Sequence, residues 1–362
     1  MARFHGGFIN AHTHLYSGLA PLGLPELDPP PRNFLDILGR RWWRLDRALD
    51  LDILRASARY YIANALLAGT TVLVDHHESP QCIVGSLDVL ADACQDLGIR
   101  AVVCYGITER NRGENEASEG LEENRRFLEK NARPLVRGAV GMHASFTLGD
   151  ASIRRAAELA RRFRVPVHVH VAEDVADVED ARRRGYDGPL ERLRALDALP
   201  PGSLLAHGIH LTVANVQIDV PELEAWVIQN PRSNEGNGVG YGSVLGLHGR
   251  VALGTDGFPS NMLDESAALV RIAETEGHPL GERLAESRRH ASARLATEFF
   301  GPRPDDFVDW KEPGVADCVV IAGREVVRHG ELVSGNFQVI REEAERAAKE
   351  LFQRMQSTGD AP

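Results

Sequence analysis

Lysine is nearly missing from this 362-residue chain: Lys130, Lys311 and Lys349 are its three, and the rest of its 41 basic side chains are arginine. None of the three follows a glycine, which excludes the phosphate-cradling loop that ends in Gly-Lys. Cysteine is scarce as well. Cys82, Cys94, Cys104 and Cys318 form no Cys-x-x-Cys pair, so a zinc knuckle, a redox dithiol and the cysteine-ligated deaminase signature are all excluded. Positive charge is outweighed, 41 basic against 52 acidic residues for a net charge of -11, which disfavours nucleic acid and anionic lipid as partners. No apolar run approaches the roughly 18–20 residues of a membrane span, and the opening Met-Ala-Arg-Phe-His-Gly-Gly lacks a signal-peptide core. The expectation is a cytoplasmic protein with no membrane partner. Missing too are a Gly-x-Ser-x-Gly elbow and, after His77-Glu78-Ser79-Pro80, the second histidine of a zincin helix.

What is present is alternation. Eight short runs rich in β-branched residues, Phe8–Ala11, Thr71–Asp75, Ala101–Tyr105, Gly138–His143, Val165–Val171, Ser203–His207, Ala225–Gln229 and Val251–Asp256, are separated by stretches of helical period. Leu51–Ala68, Leu121–Asn131 and Ala151–Arg164 are examples of the latter. Eight strands each followed by a helix predict an α/β fold, a (β/α)₈ TIM barrel of about 250 residues, with a doubly wound open sheet as the alternative. The barrel is assigned to residues 6–300. Pro21–Asn33, with five prolines, reads as a long loop. Residues 314–335 hold two further strands, Ala316–Ile321 and Val326–Val333, and residues 337–358 a charge-laced C-terminal helix.

The chemistry gathers at strand ends. In Asn10-Ala-His12-Thr-His14 the two imidazoles are two residues apart in an extended segment, so both face one point and can share a metal ion. Val165–Glu173 carries His168 and His170 on one face and Glu173 just beyond; the next strand ends at His207 and the eighth at Asp256. In a barrel the C-terminal ends of strands line the active site, so four ends supply His12, His14, His170, Glu173, His207 and Asp256 to one mouth. His143, at the end of the fourth strand, is a candidate substrate donor. Of His76 and His77, one is expected to line the site and the other to fix the loop; His77 is counted with the candidates.

Several segments, Ala11-His-Thr-His-Leu-Tyr-Ser-Gly18, Trp42-Trp-Arg-Leu-Asp-Arg-Ala-Leu49, Val74-Asp-His-His-Glu-Ser-Pro80, Asn230-Pro-Arg-Ser-Asn234 and Leu253-Gly-Thr-Asp-Gly257, together resemble the amidohydrolase superfamily. Within it they resemble the mononuclear aminohydrolases, the deaminase and chlorohydrolase branch, and most of all the SsnA-type group. The resemblance implies one divalent metal ion, zinc or alternatively iron(II), on His12, His14, His170 and Asp256. It implies catalytic roles for Glu173, His207 and Asp256, with Glu173 and His207 as acid and base. No lysine stands at a strand end to bridge a second ion. The implied reaction is attack of a metal-generated hydroxide on the amino-bearing carbon of a ring amidine in a small purine-like, pterin-like or related heterocycle. His143, Tyr16, Trp43, His77 and Arg232 are the candidate substrate contacts, and a homodimer is a further family-level expectation.

Two departures from that branch stand out. The strands that usually precede the His-x-His strand are nearly absent, so the accompanying β-sandwich is expected only as a C-terminal remnant. Gln229 stands before Asn230 where histidine is usual. Two other readings compete: release of chloride or an alkylamine from the same kind of ring carbon, and a catalytically silent barrel that binds a metal.

Overall fold

Buried β-branched runs pair with one another because each is apolar on both faces, which suits strands covered by helices on one side and by a packed interior on the other. In the computed structural model, which describes residues 4–5, 7–247, 249–278 and 281–359, the strands are β1 (Phe4–His5), β2 (Phe8–Thr13), β3 (Thr70–Asp75), β4 (Arg100–Val103), β5 (Gly106–Ile107), β6 (Val136–Gly138), β7 (Val140–Ala144), β8 (Val167–Val171), β9 (Leu204–His207), β10 (Trp226–Gln229), β11 (Val251–Leu253), β12 (Phe307–Glu312), β13 (Val315–Ile321), β14 (Arg324–Arg328) and β15 (Glu331–Leu332). Two sheets are wholly parallel, one in the order β2-β3-β4-β6 and the other β5-β7-β8-β9-β10-β11. Helices alternate with their strands, a TIM-barrel-type α/β arrangement.

The run expected as the third strand stops at Val103, with a separate β5 beyond it, and the expected fourth is divided at Ala139. At Tyr105 a side chain takes the place of a neighbouring strand: buried Asn124 accepts from Tyr105 N at 3.0 Å and donates to Tyr105 O at 2.8 Å. The sheets nevertheless touch at both seams. The amides of Thr255 and Asp256 both donate to the His12 carbonyl beside a Thr13–Asp256 bridge, and Gly106 N of β5 donates to the His77 carbonyl at 2.7 Å beside a His77–Tyr105 bridge. At the second seam Gly141 is required, because a Cβ there would lie 2.4 Å from the Tyr105 carbonyl oxygen. Since the obstacle is backbone, Gly141→Ala should cost about 1–3 kcal/mol. A thermal melt reads this directly, and an unshifted midpoint would show that the seam has slack.

Beyond the parallel sheets lies one antiparallel sheet in the order β1-β12-β13-β14-β15. It is larger than the two strands expected in 314–335: it opens at Phe307, and β1 from the chain's start lines its edge. The expected strand Val326–Val333 is two, because the chain reverses at Gly330, whose φ is 77°. No second antiparallel sheet faces it among the described residues. Instead Val319, Ile321 and Val327 pack with Leu54 and Ile62 of the helix Leu51–Leu67 and with Ile340 and Leu351 of the C-terminal helix Phe337–Ser357.

Candidate active site

Strand period two places His12 and His14 on the same side of β2 as it runs out, and β8, β9 and the segment after β11 bring His170, His207 and Asp256 beside them. The ligating atoms of His12, His14, His170 and Asp256 all lie within 4.8 Å of one another. Asp256 Oδ1 is 3.2 Å from His12 Nε2 and 2.8 Å from His14 Nε2. Glu173 Oε2 lies 3.6 Å from His207 Nε2. Asp256 and His207 both have left-handed backbone, at φ 51° and 75°, a conformation that costs about 1–3 kcal/mol and collects at functional sites.

Acceptors around the cluster fix which ring nitrogen carries each proton. His14 Nδ1 donates to the carbonyl of His76, His170 Nδ1 to that of His143 at 2.6 Å, and His207 Nδ1 to Asn234 Oδ1 at 2.9 Å. A carbonyl only accepts, so in a neutral ring the lone pair is left on Nε2. His12 Nδ1 lies 2.9 Å from His168 Nε2, a pair in which either ring can be the donor. Nε2 of His207 is buried and has no hydrogen-bond partner. A lone pair on Nε2 facing a carboxylate oxygen at 2.8 Å is repulsive unless a proton or a cation lies between them, and three imidazoles with a carboxylate are a donor set that suits a divalent transition ion. The residues therefore fit the metal that the sequence implies.

The electrostatics agree for His12, His170 and His207. Burial lowers His12 to about 3 and holds His170 and His207 below the ordinary imidazole value, keeping them neutral as ligands and bases must be. His14 is likewise buried, yet its bond to Asp256 and the charge of that group win and raise it to about 9. For Asp256 burial acts upward, but the bonds from His12 and His14 hold it well below the carboxylate range, with Ser233 Oγ donating to its other oxygen. Glu173 is pushed well above that range, first by burial and then by the charge of Asp256.

Of the candidate contacts, Tyr16, Trp43 and His143 line the cavity over this cluster. His77 does not. Its Nε2 meets Ser79 Oγ at 2.8 Å and its ring edges against Tyr105, whereas His76 packs on His170 with centroids 4.5 Å apart. Arg232 is not there either: its guanidinium is held by buried Glu265 and the Pro259 carbonyl, and it stacks over Phe258. Two carboxylates are among the cavity residues that escape the sequence reading, Glu78, whose Oε1 is 2.7 Å from His76 Nδ1, and Asp46. The position of Glu78 just past the second strand end is the one signal that could have found it.

Parallel strands that end in His-x-His, His, His and Asp define a class: a barrel-type protein whose strand ends are shaped for a cation and a reacting small molecule. Residues 6–286 match the model of the Amidohydrolase family, and the chain belongs to that family. Among curated relatives it is 27% identical to a 5'-deoxyadenosine deaminase of Methanopyrus kandleri, over 95% of this chain and 86% of that one. It is 28% identical to a 5-methylthioadenosine/S-adenosylhomocysteine deaminase of Thermoanaerobacter pseudethanolicus, over 70% of this chain and 57% of that one. Among solved structures, a zinc-bound adenosine deaminase from Xanthomonas campestris superposes with a TM-score of 0.80 at 22% identity, covering 95% of this chain and 85% of that one. The zinc-complexed atrazine chlorohydrolase TrzN of Arthrobacter aurescens gives 0.76 at 18%, over 95% and 88%. The resemblance to the amidohydrolase superfamily is thus borne out.

Proposed function

We propose that this protein is a metal-dependent aminohydrolase that replaces the amino group of a ring amidine in a purine-like heterocycle by oxygen, consuming water and releasing ammonia. The observation that carries the reading is the placement of Glu173 and His207 beside the set His12, His14, His170 and Asp256, on a chain whose relatives include adenosine-type deaminases. We read the two parallel sheets as the halves of one eight-stranded barrel over residues 6–300, and the ion as a single zinc on those four residues. What a bound ion supplies is a water molecule made acidic near neutral pH.

The remaining work falls to side chains. Glu173, whose raised pKa favours the protonated form, donates its proton to the ring nitrogen next to the amino-bearing carbon. His207, its ring fixed by Asn234, offers the Nε2 lone pair to the proton that leaves the attacking water, and Asp256 passes it on to the departing ammonia. His143, Tyr16 and Trp43 form the walls against which the ring rests.

Elemental analysis followed by an ammonia-release screen over aminopurines, pterins, aminopyrimidines and aminotriazines tests the reading. About one divalent ion per chain and ammonia from the aminopurines is the expected result. Two ions per chain would overturn the ligand assignment. Chloride or alkylamine release without ammonia would replace deamination by the other leaving-group chemistry.

A further inference from the structure

Strand alternation accounts for the direction of His168 and His170 but not for that of Glu173. β8 ends at Val171, with its two histidines on the interior face. Continued unbroken, the alternation would turn Ala172 inward and Glu173 away from the mouth, the wrong side for its place beside His207. Ala172 breaks the pattern. Its φ of 53° is left-handed, a region that a residue with a Cβ rarely enters, and this single turn reverses the face on which the next side chain emerges. Glu173 therefore takes its direction from a backbone conformation that alanine does not favour, and something must hold it.

Two hydrogen bonds do. The Ala172 carbonyl accepts from His210 N at 2.9 Å, and Ala172 N donates to Oδ2 of Asp177 at 2.8 Å. The first is backbone to backbone, whereas the second depends on one side chain. Asp177 lies in the helix Val175–Arg183, just beyond Glu173, and is 3% exposed. Burial, with the charge of Asp180, pushes its carboxyl up to about 7, against the downward pull of the Ala172 amide and of buried Arg192. An aspartate raised on folding makes the native state less stable as pH climbs from the ordinary carboxylate value toward 7. Stability at neutral pH is thus not what this carboxylate supplies; its bond lands one residue from the proton donor.

We propose that Asp177 is the positioning residue of Glu173, its carboxylate holding Ala172 in the left-handed turn that aims Glu173 at the substrate's ring nitrogen. The inference rests on the aminohydrolase reading and adds to it a residue outside both the converging ligand set and the lining of the cavity.

Asp177→Ala is the direct test, with the metal-loaded enzyme and adenosine as the probe. D177A should lower kcat by about 10–100-fold, the effect of displacing an acid by about 1 Å, while KM changes less than about threefold and metal per chain stays at the wild-type level. Asp177→Asn keeps an oxygen that can accept from Ala172 N, so it should stand within about fivefold of the wild type. The decisive readout is a cycle with Glu173→Gln: in that background D177A should cost less than about twofold more, because the group it aims is already gone. Crystal structures read the placement without turnover, and the Glu173 carboxylate should leave His207 in D177A and keep its 3.6 Å separation in D177N. Should D177A fail to fold, Asp177→Leu, branched at the same atom but without an acceptor, takes its place. A D177A protein with Glu173 in position and undiminished kcat overturns the proposal. So does a variant that loses metal, or one that loses rate equally with and without Glu173, since either result marks a general structural role. A wild type that releases no ammonia from adenosine removes the aminohydrolase reading for that class and this inference with it, whereas an active wild type and an indifferent D177A remove the inference alone.

Discussion

Replacing Glu173 by glutamine should lower turnover by about 10²–10⁴-fold while the metal content of the protein stays at the wild-type level. Glutamine keeps the volume of the side chain but has no proton to give at the ring nitrogen. Glu173 lies outside the four-residue set whose ligating atoms converge, so its loss removes none of them. The same group sets a pH signature. Its pKa is raised by burial and by the charge of Asp256, so the reactive, protonated form persists to higher pH than in an ordinary carboxylate and is lost as pH rises past that raised value. The alkaline limb of kcat/KM should therefore be present in the wild type and absent from the residual activity of E173Q. Ammonia release across pH, with elemental analysis of both proteins, checks the two statements together. Full turnover in E173Q would remove Glu173 from the reaction.

Asp256→Asn should be as damaging by a different route, lowering bound metal severalfold and turnover by about 10³-fold or more. Asparagine tolerates the left-handed backbone at φ 51° better than alanine does, so this variant separates lost charge from strained folding. Its amide offers a neutral oxygen in place of the carboxylate that Oδ1 places 2.8 Å from His14. Without that carboxylate the His14 pKa, now raised to about 9, should fall, and the attraction that gathers a cation among His12, His14 and His170 is weakened. Metal per chain and the melting temperature are the readouts. A D256N protein that melts as the wild type does and still holds a full complement of metal would show that Asp256 is no ligand.

The histidines on the strands were legible because strand periodicity is short and strict. Once a run such as Val167–Val171 is recognised as a strand, the direction of His168 and His170 is set, and the barrel rule says which end matters. Where regular backbone stops, that argument stops with it. His76 and His77 follow the end of β3, and alternation does not say which turns inward; a bridge between His77 and Tyr105 decides it in favour of His76. Arg232 looks the same in sequence whether it meets a substrate or Glu265, a partner 33 residues away. The break between β4 and β5 is held by the amide of Asn124, which reads as an ordinary polar residue of a helix. β1 is two residues long, too short for any periodicity to register.

The seam between the two parallel sheets has a mechanical meaning. His12 and His14 belong to the sheet that starts the chain, whereas His170 and Asp256 come from the other, and the hydrogen bonds from Thr255 and Asp256 to His12 are what join those edges. The four proposed ligands thus straddle the boundary instead of decorating one side of it. Whatever binds all four acts as a rivet between the two parallel sheets, and because the unfolded chain does not assemble them, its affinity is added to the cohesion of the fold. Metal retention and resistance to unfolding are then linked in this molecule, and a change at the seam will register in both.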